Sequence, residues 1–216
     1  MKSERQYTPA AGHSGELAAY DDAVRAYTKE AVWRPLMVQR INPQPSQTIV
    51  DIGAGTGTLA VALKKRCPEA TVIAFDPDRA ALELARAKAK AESVEIDWRL
   101  GFAEPDAFAP DTVDHATCSL VLHQVPLSEK RAILETMCKW TKGVGTIHIA
   151  DYGRQRGTMR SRFRKTVQAG DGIEDTQPNA DGALEHIFHE LGLRRYLRDR
   201  HFATLSGRFS LFSRST

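Results

Sequence analysis

Apolar and polar positions change rhythm near residue 47. Before it, Leu17, Tyr20, Val24, Tyr27, Val32, Leu36, Val38 and Ile41 recur mostly at intervals of three and four. That spacing predicts one or two helices over 14–41. The stretch NPQPSQ (42–47) holds two prolines and predicts a connector. After it, short apolar runs alternate with amphipathic stretches. Strands are predicted at 48–52, 71–75, 94–100, 112–119 and 144–150. Helices are predicted at 57–66, 78–91 and 128–140, with Asp78 and Ser128 placed to cap the last two. Residues 153–177 are rich in glycine, arginine and polar residues. A helix is predicted at 179–193. Two strands then follow at 194–202 and 208–213, joined through TLSG.

Strands alternating with helices imply βαβ units, right-handed crossovers and a parallel sheet. The final strand pair predicts an antiparallel edge. In such sheets ligands bind beyond the carboxyl ends of the strands. Here those ends are Asp51, Asp76, the segment 101–104, the segment 119–123 and Asp151.

Composition narrows the class without naming it. The 216 residues are 42% apolar and 26% charged, as in an ordinary globular protein. A net charge of +3 is too mild to argue for nucleic acid. No run reaches the length of a membrane span, and residues 1–20 lack the apolar core of a signal peptide. The expected location is cytoplasmic. Cys67, Cys118 and Cys138 are scattered, so they are expected to be buried apolar groups rather than disulfides or zinc ligands.

The chemistry is concentrated at VDIGAGTG (50–57). Gly53, Gly55 and Gly57 let a ligand approach the backbone. A dinucleotide loop would present this turn to a pyrophosphate. Asp51, two residues before the first glycine, would repel that anion and attract a cation. S-adenosylmethionine carries an ammonium and a sulfonium beside an adenosine. Asp76, nineteen residues after Gly57, is placed to accept from ribose hydroxyls. The plain alternative is a tight turn followed by a capping aspartate.

In order, VDIGAGTG, AFDPD, GFAEPDAF, VDHATCSLVLHQV and GTIHIADYGR resemble the motifs of class I S-adenosylmethionine-dependent methyltransferases. The likeness is greatest to the small-molecule branch that includes the ubiquinone/menaquinone-biosynthesis C-methyltransferases. It covers about residues 15–155, and the tail more loosely. The resemblance implies that Asp51, Gly53, Ala54, Gly55 and Gly57 hold the methionine part. It also implies that Asp76 holds the ribose, that Pro77 flanks the adenine, and that Ser119 and Leu120 lie beside the methionyl end. LAAYDD resembles a Tyr-Asp pair that closes over the cofactor, which points to Tyr20. Many relatives place an acid and a small residue after the third strand. This chain has Phe102 and Ala103 there, with the acid displaced to Glu104.

Methyl transfer needs an aligned nucleophile and a dry site. It needs a base only when the acceptor is protonated. His123, just past the fourth strand, is the candidate base, with ordering of its loop as the alternative role. The loop lacks the [DNS]-P-P-[YFW] signature used for amides and exocyclic amines. It also lacks the acid of a catechol-type magnesium site, so a metal-independent reaction is expected. Trp33, His123, Tyr152 and Arg154 are the candidate acceptor-binding residues. GRQRGTMRSRFRK (153–165) carries five arginines and one lysine. It is either a solvated surface or a lid over an anionic or lipid-like acceptor, with peripheral membrane contact as a variant. GDGIED (170–175) is expected to pair with those arginines. RRYLRDR (194–200) reads as an exposed edge strand, His148 as core, and Trp33, Trp98 and Trp140 as packing residues, with Trp33 alone on a helix able to cap the acceptor pocket.

The expected architecture is one domain: a doubly wound, seven-stranded, Rossmann-like α/β methyltransferase sheet. It comprises an N-terminal helical cap (1–46), a cofactor-binding core (47–151), a lid (152–178) and a C-terminal helix with a strand pair (179–216). The expected function is methyl transfer to a small molecule. The rivals are an RNA or protein methyltransferase using the arginine-rich lid, and a non-catalytic S-adenosylmethionine-binding protein.

Overall fold

Alternate positions of the central strands feed two cores. Ile49, Val72 and Ala74 face one, and Val50, Ile52, Ile73 and Phe75 face the other. Strands buried on both faces need helices on both sides. A computed structural model describes Tyr7, Pro9 and residues 17–216 and shows that arrangement. The strands are β1 (Thr48–Ile52), β2 (Thr71–Asp76), β3 (Asp97–Leu100), β4 (Val113–Ser119), β5 (Thr141–Tyr152), β6 (Arg194–Thr204) and β7 (Gly207–Ser215). They form one sheet in the order β3-β2-β1-β4-β5-β7-β6. β1 to β5 pair in parallel, and β7 is antiparallel to β5 and β6.

The helices are α1 (Leu17–Thr28), α2 (Glu30–Ile41), α3 (Thr58–Arg66), α4 (Arg79–Ala91), α5 (Leu127–Trp140), α6 (Gly157–Lys165), α7 (Val167–Asp171), α8 (Ile173–Asp181) and α9 (Ala183–Glu190). Residues of α2, α3 and α6 to α8 fill one core, and residues of α5 and α9 the other. The doubly wound α/β fold, the helical cap and the helical segment after β5 are therefore present. No helix among the described residues is long and apolar enough to cross a membrane.

Several boundaries differ from the sequence pattern. The part of the first predicted helix at 14–16 lies outside the described residues. Tyr27 and Val32 are exposed, and α2 buries Glu30, Trp33, Met37 and Ile41 instead. Asp78 caps α4 as expected, accepting from Ala80 N and Ala81 N. Ser128 does not cap α5: Leu127 is already helical after Pro126, and Lys130 N, two residues past Ser128, already donates to Pro126 O. β3 starts at Asp97 because Val94 N–H bonds back to Ala89 O and closes α4. β5 begins earlier than predicted, at Thr141, and absorbs an irregularity between its pairings with Val113 and His115. The single helix predicted at 179–193 is broken at Gly182, where φ is 101°. Cys67 and Cys118 are buried and Cys138 is half-buried.

Candidate functional site

Two cavities open at the carboxyl ends of the parallel strands. The first, about 440 Å³, is bounded by the β1–α3 glycine loop, the end of β2, residues 101–103 and the turn after β4. Gly53, Ala54, Gly55, Asp76, Pro77, Phe102, Ala103, Ser119 and Leu120 all lie on its wall, with Tyr20 from α1. Asp51, Gly57 and Glu104 do not. Asp51 is 1% exposed, behind the wall formed by the three residues that follow it. Gly57 packs away from the cavity: a Cβ there would lie 2.6 Å from Trp98 and 2.7 Å from Ala85. Gly53 has φ 69°, and a Cβ there would lie 2.3 Å from Val121 Cγ2. Bare backbone is needed at both, for different neighbours.

The electrostatics of this cavity favour a cation. Thr117 Oγ1 donates to Asp51 Oδ1 at 2.7 Å. Asp51 Oδ2 is buried without a hydrogen-bond partner among the described residues. Burial pushes this carboxyl up to about 7, against the pull of Thr117 and Arg34. Asp76 accepts from Gly55 N at 2.7 Å and from Asp78 N at 2.8 Å. Burial raises it to about 6, opposed by those N–H groups. A carboxylate held behind the wall, with one oxygen unsatisfied, is stabilised by an incoming positive group. This is the orphaned charge that an ammonium or sulfonium would complement.

α1 closes one side. Asp21 accepts from Thr56 Oγ1 at 2.6 Å and from Lys88 Nζ at 2.8 Å, and Lys88 Nζ also donates to Thr58 Oγ1 at 2.6 Å. The cap is thus tied to the glycine loop and to α4. Asp21 is the acid of the Tyr-Asp pair seen in LAAYDD, whereas the wall residues Tyr7, Arg34 and Glu129 carried no sequence signal of their own.

The second cavity, about 420 Å³, lies between α1, the turn after β4 and the helices after β5. Tyr20, Leu120 and Gln124 line both cavities and separate them. Leu120 holds φ 58°, a left-handed conformation costly for a branched side chain. His123 and Tyr152 line the second cavity, as do Lys165 from the arginine-rich segment and Asp171 from GDGIED. Asp171 was expected to pair with the lid arginines. It faces His123 instead.

His123 is buried between two carboxylates. Its Nδ1 lies 2.8 Å from Asp151 Oδ1 and its Nε2 lies 3.4 Å from Asp171 Oδ2. Burial opposes the positive form, but Asp151 and Asp171 more than reverse that and raise the imidazole to about 9. A ring that holds its proton near neutral pH is a hydrogen-bond donor, which suits the loop-ordering role of His123 better than the base role. Burial keeps the Tyr152 phenol protonated, and its hydroxyl lies 2.7 Å from Ser206 Oγ.

Two acceptor candidates lie elsewhere. Trp33 is fully buried, tilted against Phe209 with centroids 5.0 Å apart, and its Nε1 donates to Thr28 Oγ1. Arg154 is exposed and folds over Gly182, so neither reaches a cavity. Two of the lid arginines also turn to the protein. Arg160 pairs with Asp181 at 2.7 Å, and Arg162 Nη1 donates to Thr204 O. His148 is core, bonded to Thr146 and Ser213, and Trp140 is fully buried.

Residues 49–145 match the family described as methyltransferase domain. The ubiquinone/menaquinone biosynthesis C-methyltransferase UbiE of Dinoroseobacter shibae is 31% identical over 96 residues, which are 44% of this chain and 38% of that protein. The match thus spans well under half the length of that relative. Phosphoethanolamine N-methyltransferase 2 of Haemonchus contortus, solved with S-adenosylhomocysteine, superposes with a TM-score of 0.70 at 13% identity, covering 93% of this chain and 56% of that one. Magnesium protoporphyrin IX methyltransferase of Synechocystis PCC 6803, also with S-adenosylhomocysteine, gives 0.64 at 14%, covering 87% and 82%. Residues 49–145 are thus similar to the methyltransferase domain family and to part of UbiE, set in a fold shared with solved S-adenosylmethionine-dependent methyltransferases.

Proposed function

We propose that the chain transfers a methyl group from S-adenosylmethionine in the first cavity to a small-molecule acceptor in the second. The observation that carries this reading is the shared wall: Tyr20, Leu120 and Gln124 touch both spaces. Gly53, Ala54 and Gly55 would hold the methionine part, with the buried Asp51 charge behind them. Asp76 would take the ribose with the lone pairs its N–H partners leave free. Pro77, Phe102 and Ala103 would bound the adenine, and Ser119 and Leu120 the methionyl end. Tyr20 would close the cap over both ligands.

When bound, the cofactor supplies a sulfonium-activated methyl group that an acceptor lone pair displaces in line. The chain's own part is to position and to exclude water, and this route uses no metal. His123 would act as a fixed cation and hydrogen-bond donor rather than as a base. The acceptor would then bring a nucleophile that needs no strong base, or lose its proton after transfer. Because Arg160 and Arg162 are engaged within the protein, nothing in their geometry favours a nucleic-acid or protein substrate.

A panel of small acceptors, followed by release of S-adenosylhomocysteine, tests the reading. Ala23 lines only the second of these two cavities. Ala23→Trp should abolish turnover of any accepted compound while S-adenosylhomocysteine still binds. Unchanged turnover in that variant would place the acceptor elsewhere.

A further inference from the structure

In the stretch SEKRAI, Lys130 reads as an exposed helical lysine. The structure buries it completely. Its ammonium donates to Leu122 O, to Val125 O at 2.6 Å and to Asp175 O at 2.8 Å. Those three bonds use all its donors. Two of the carbonyls belong to the turn after β4, which carries His123 and Gln124. The third belongs to α8. A methionine would fill similar space without the cost of taking an ammonium out of water. Packing alone does not explain a lysine here. Burial pulls this ammonium down to about 8, against the pull of Asp151 and Asp175.

A second link runs beside the first. Asp171, at the end of α7, meets Nε2 of His123 in the same turn. The turn that separates the two cavities is thus fastened to α7 by a carboxylate and to α8 by an ammonium.

We propose that Lys130 is a positioning residue for methyl transfer. Its ammonium locks residues 122–125 to α8, which fixes His123 and Gln124 beside the second cavity and holds α7, joined to α8 through Gly172, over it. This rests on the reading of the second cavity as the acceptor site.

The test is Lys130→Met in the full chain, read by hydrogen exchange and by NMR titration of the His123 imidazole. Asp151, Asp171 and Tyr152 surround that ring. Amides in 120–126 and 167–181 should exchange at least about tenfold faster, with the sheet unchanged. The His123 titration should fall by about one pH unit or more as Asp171 moves away. A loss of general stability alone would leave that titration in place. S-adenosylhomocysteine affinity should stay within about threefold of the wild type. If the wild type does not bind S-adenosylhomocysteine, the cofactor reading fails, while exchange and titration still judge Lys130.

Unchanged exchange and an unchanged His123 titration would overturn the proposal. So would faster exchange spread over the whole sheet. Should Lys130→Met fail to fold, Lys130→Gln keeps two N–H donors and is read in the same way. Failure of both to fold would make the ammonium a general stability element and would also overturn the proposal.

Discussion

His123 Nδ1 lies 2.8 Å from Asp151 Oδ1, and this pair sets the charge on the floor of the second cavity. The imidazole is raised above its unfolded value near 6.5 to about 9. Its contribution to stability is therefore full below about 6.5 and is lost as pH rises through about 9. Thermal unfolding from pH 6 to 10 checks this. The wild type should lose roughly 3 kcal/mol more over that range than His123→Gln. Equal slopes in the two proteins would show that the ring carries no extra proton.

The same pair separates two catalytic roles by sign. A histidine base becomes active as it loses its proton, so the rate rises with pH through its folded value. A positioning cation works while protonated, so the rate is flat near neutrality and falls through about 9. The second profile is expected with any accepted compound. His123→Ala should lower the rate about tenfold or more with cofactor affinity retained. A rate that climbs through pH 9 would restore the base.

Asp51 and Asp76 link cofactor binding to protons. Both are raised, to about 7 and about 6, because burial disfavours their charge. A cation in the first cavity favours the ionised forms, so binding below pH 7 should release protons. Affinity should fall as pH is lowered from 8 to 5. Calorimetry in buffers of different ionisation enthalpy measures this release. Asp51→Asn should remove most of the pH dependence and weaken S-adenosylmethionine by about 10- to 100-fold, as expected for a charge-assisted contact. Unchanged affinity would refute the charge argument.

Gly53 and Gly57 both have positive φ, but they should fail differently. Gly53→Ala directs a methyl at Val121 beside the cavity, so it should chiefly weaken cofactor binding. Gly57→Ala drives a methyl into Trp98 and Ala85, so it should chiefly lower the melting temperature, by about 1–3 kcal/mol of stability. Calorimetry and thermal unfolding, run on both variants, should show opposite rankings.

What the sequence made legible follows from what is local. β1 matches its predicted span because an apolar run between a proline-rich connector and a glycine turn has one local solution. The capping role of Asp78 needs only its neighbours three residues on. Asp76, Gly53 and Gly55 reach the cavity wall for the same local reason. The acceptor side was harder, because it is assembled from distant segments. Asp171 meets His123 only once α7 folds back over the turn after β4. Lys130 gave no signal, because nothing in SEKRAI shows that three carbonyls await it. Trp33 read both as a packing residue and as a cap over the acceptor, and Phe209, distant in sequence, buries it in the packing role. Arg154 follows β5 as expected, yet the break at Gly182 gives its guanidinium a place to lie outside both cavities.

The central claim is that the cofactor's methyl group emerges at the wall shared by the two cavities. A crystal structure with S-adenosylhomocysteine tests it most directly. The account predicts the sulfur beside Tyr20, Leu120 and Gln124, facing the second cavity, with the amino group on the Asp51 side of the glycine loop. A sulfur directed away from that wall, or a ligand seated outside the glycine loop, would contradict it.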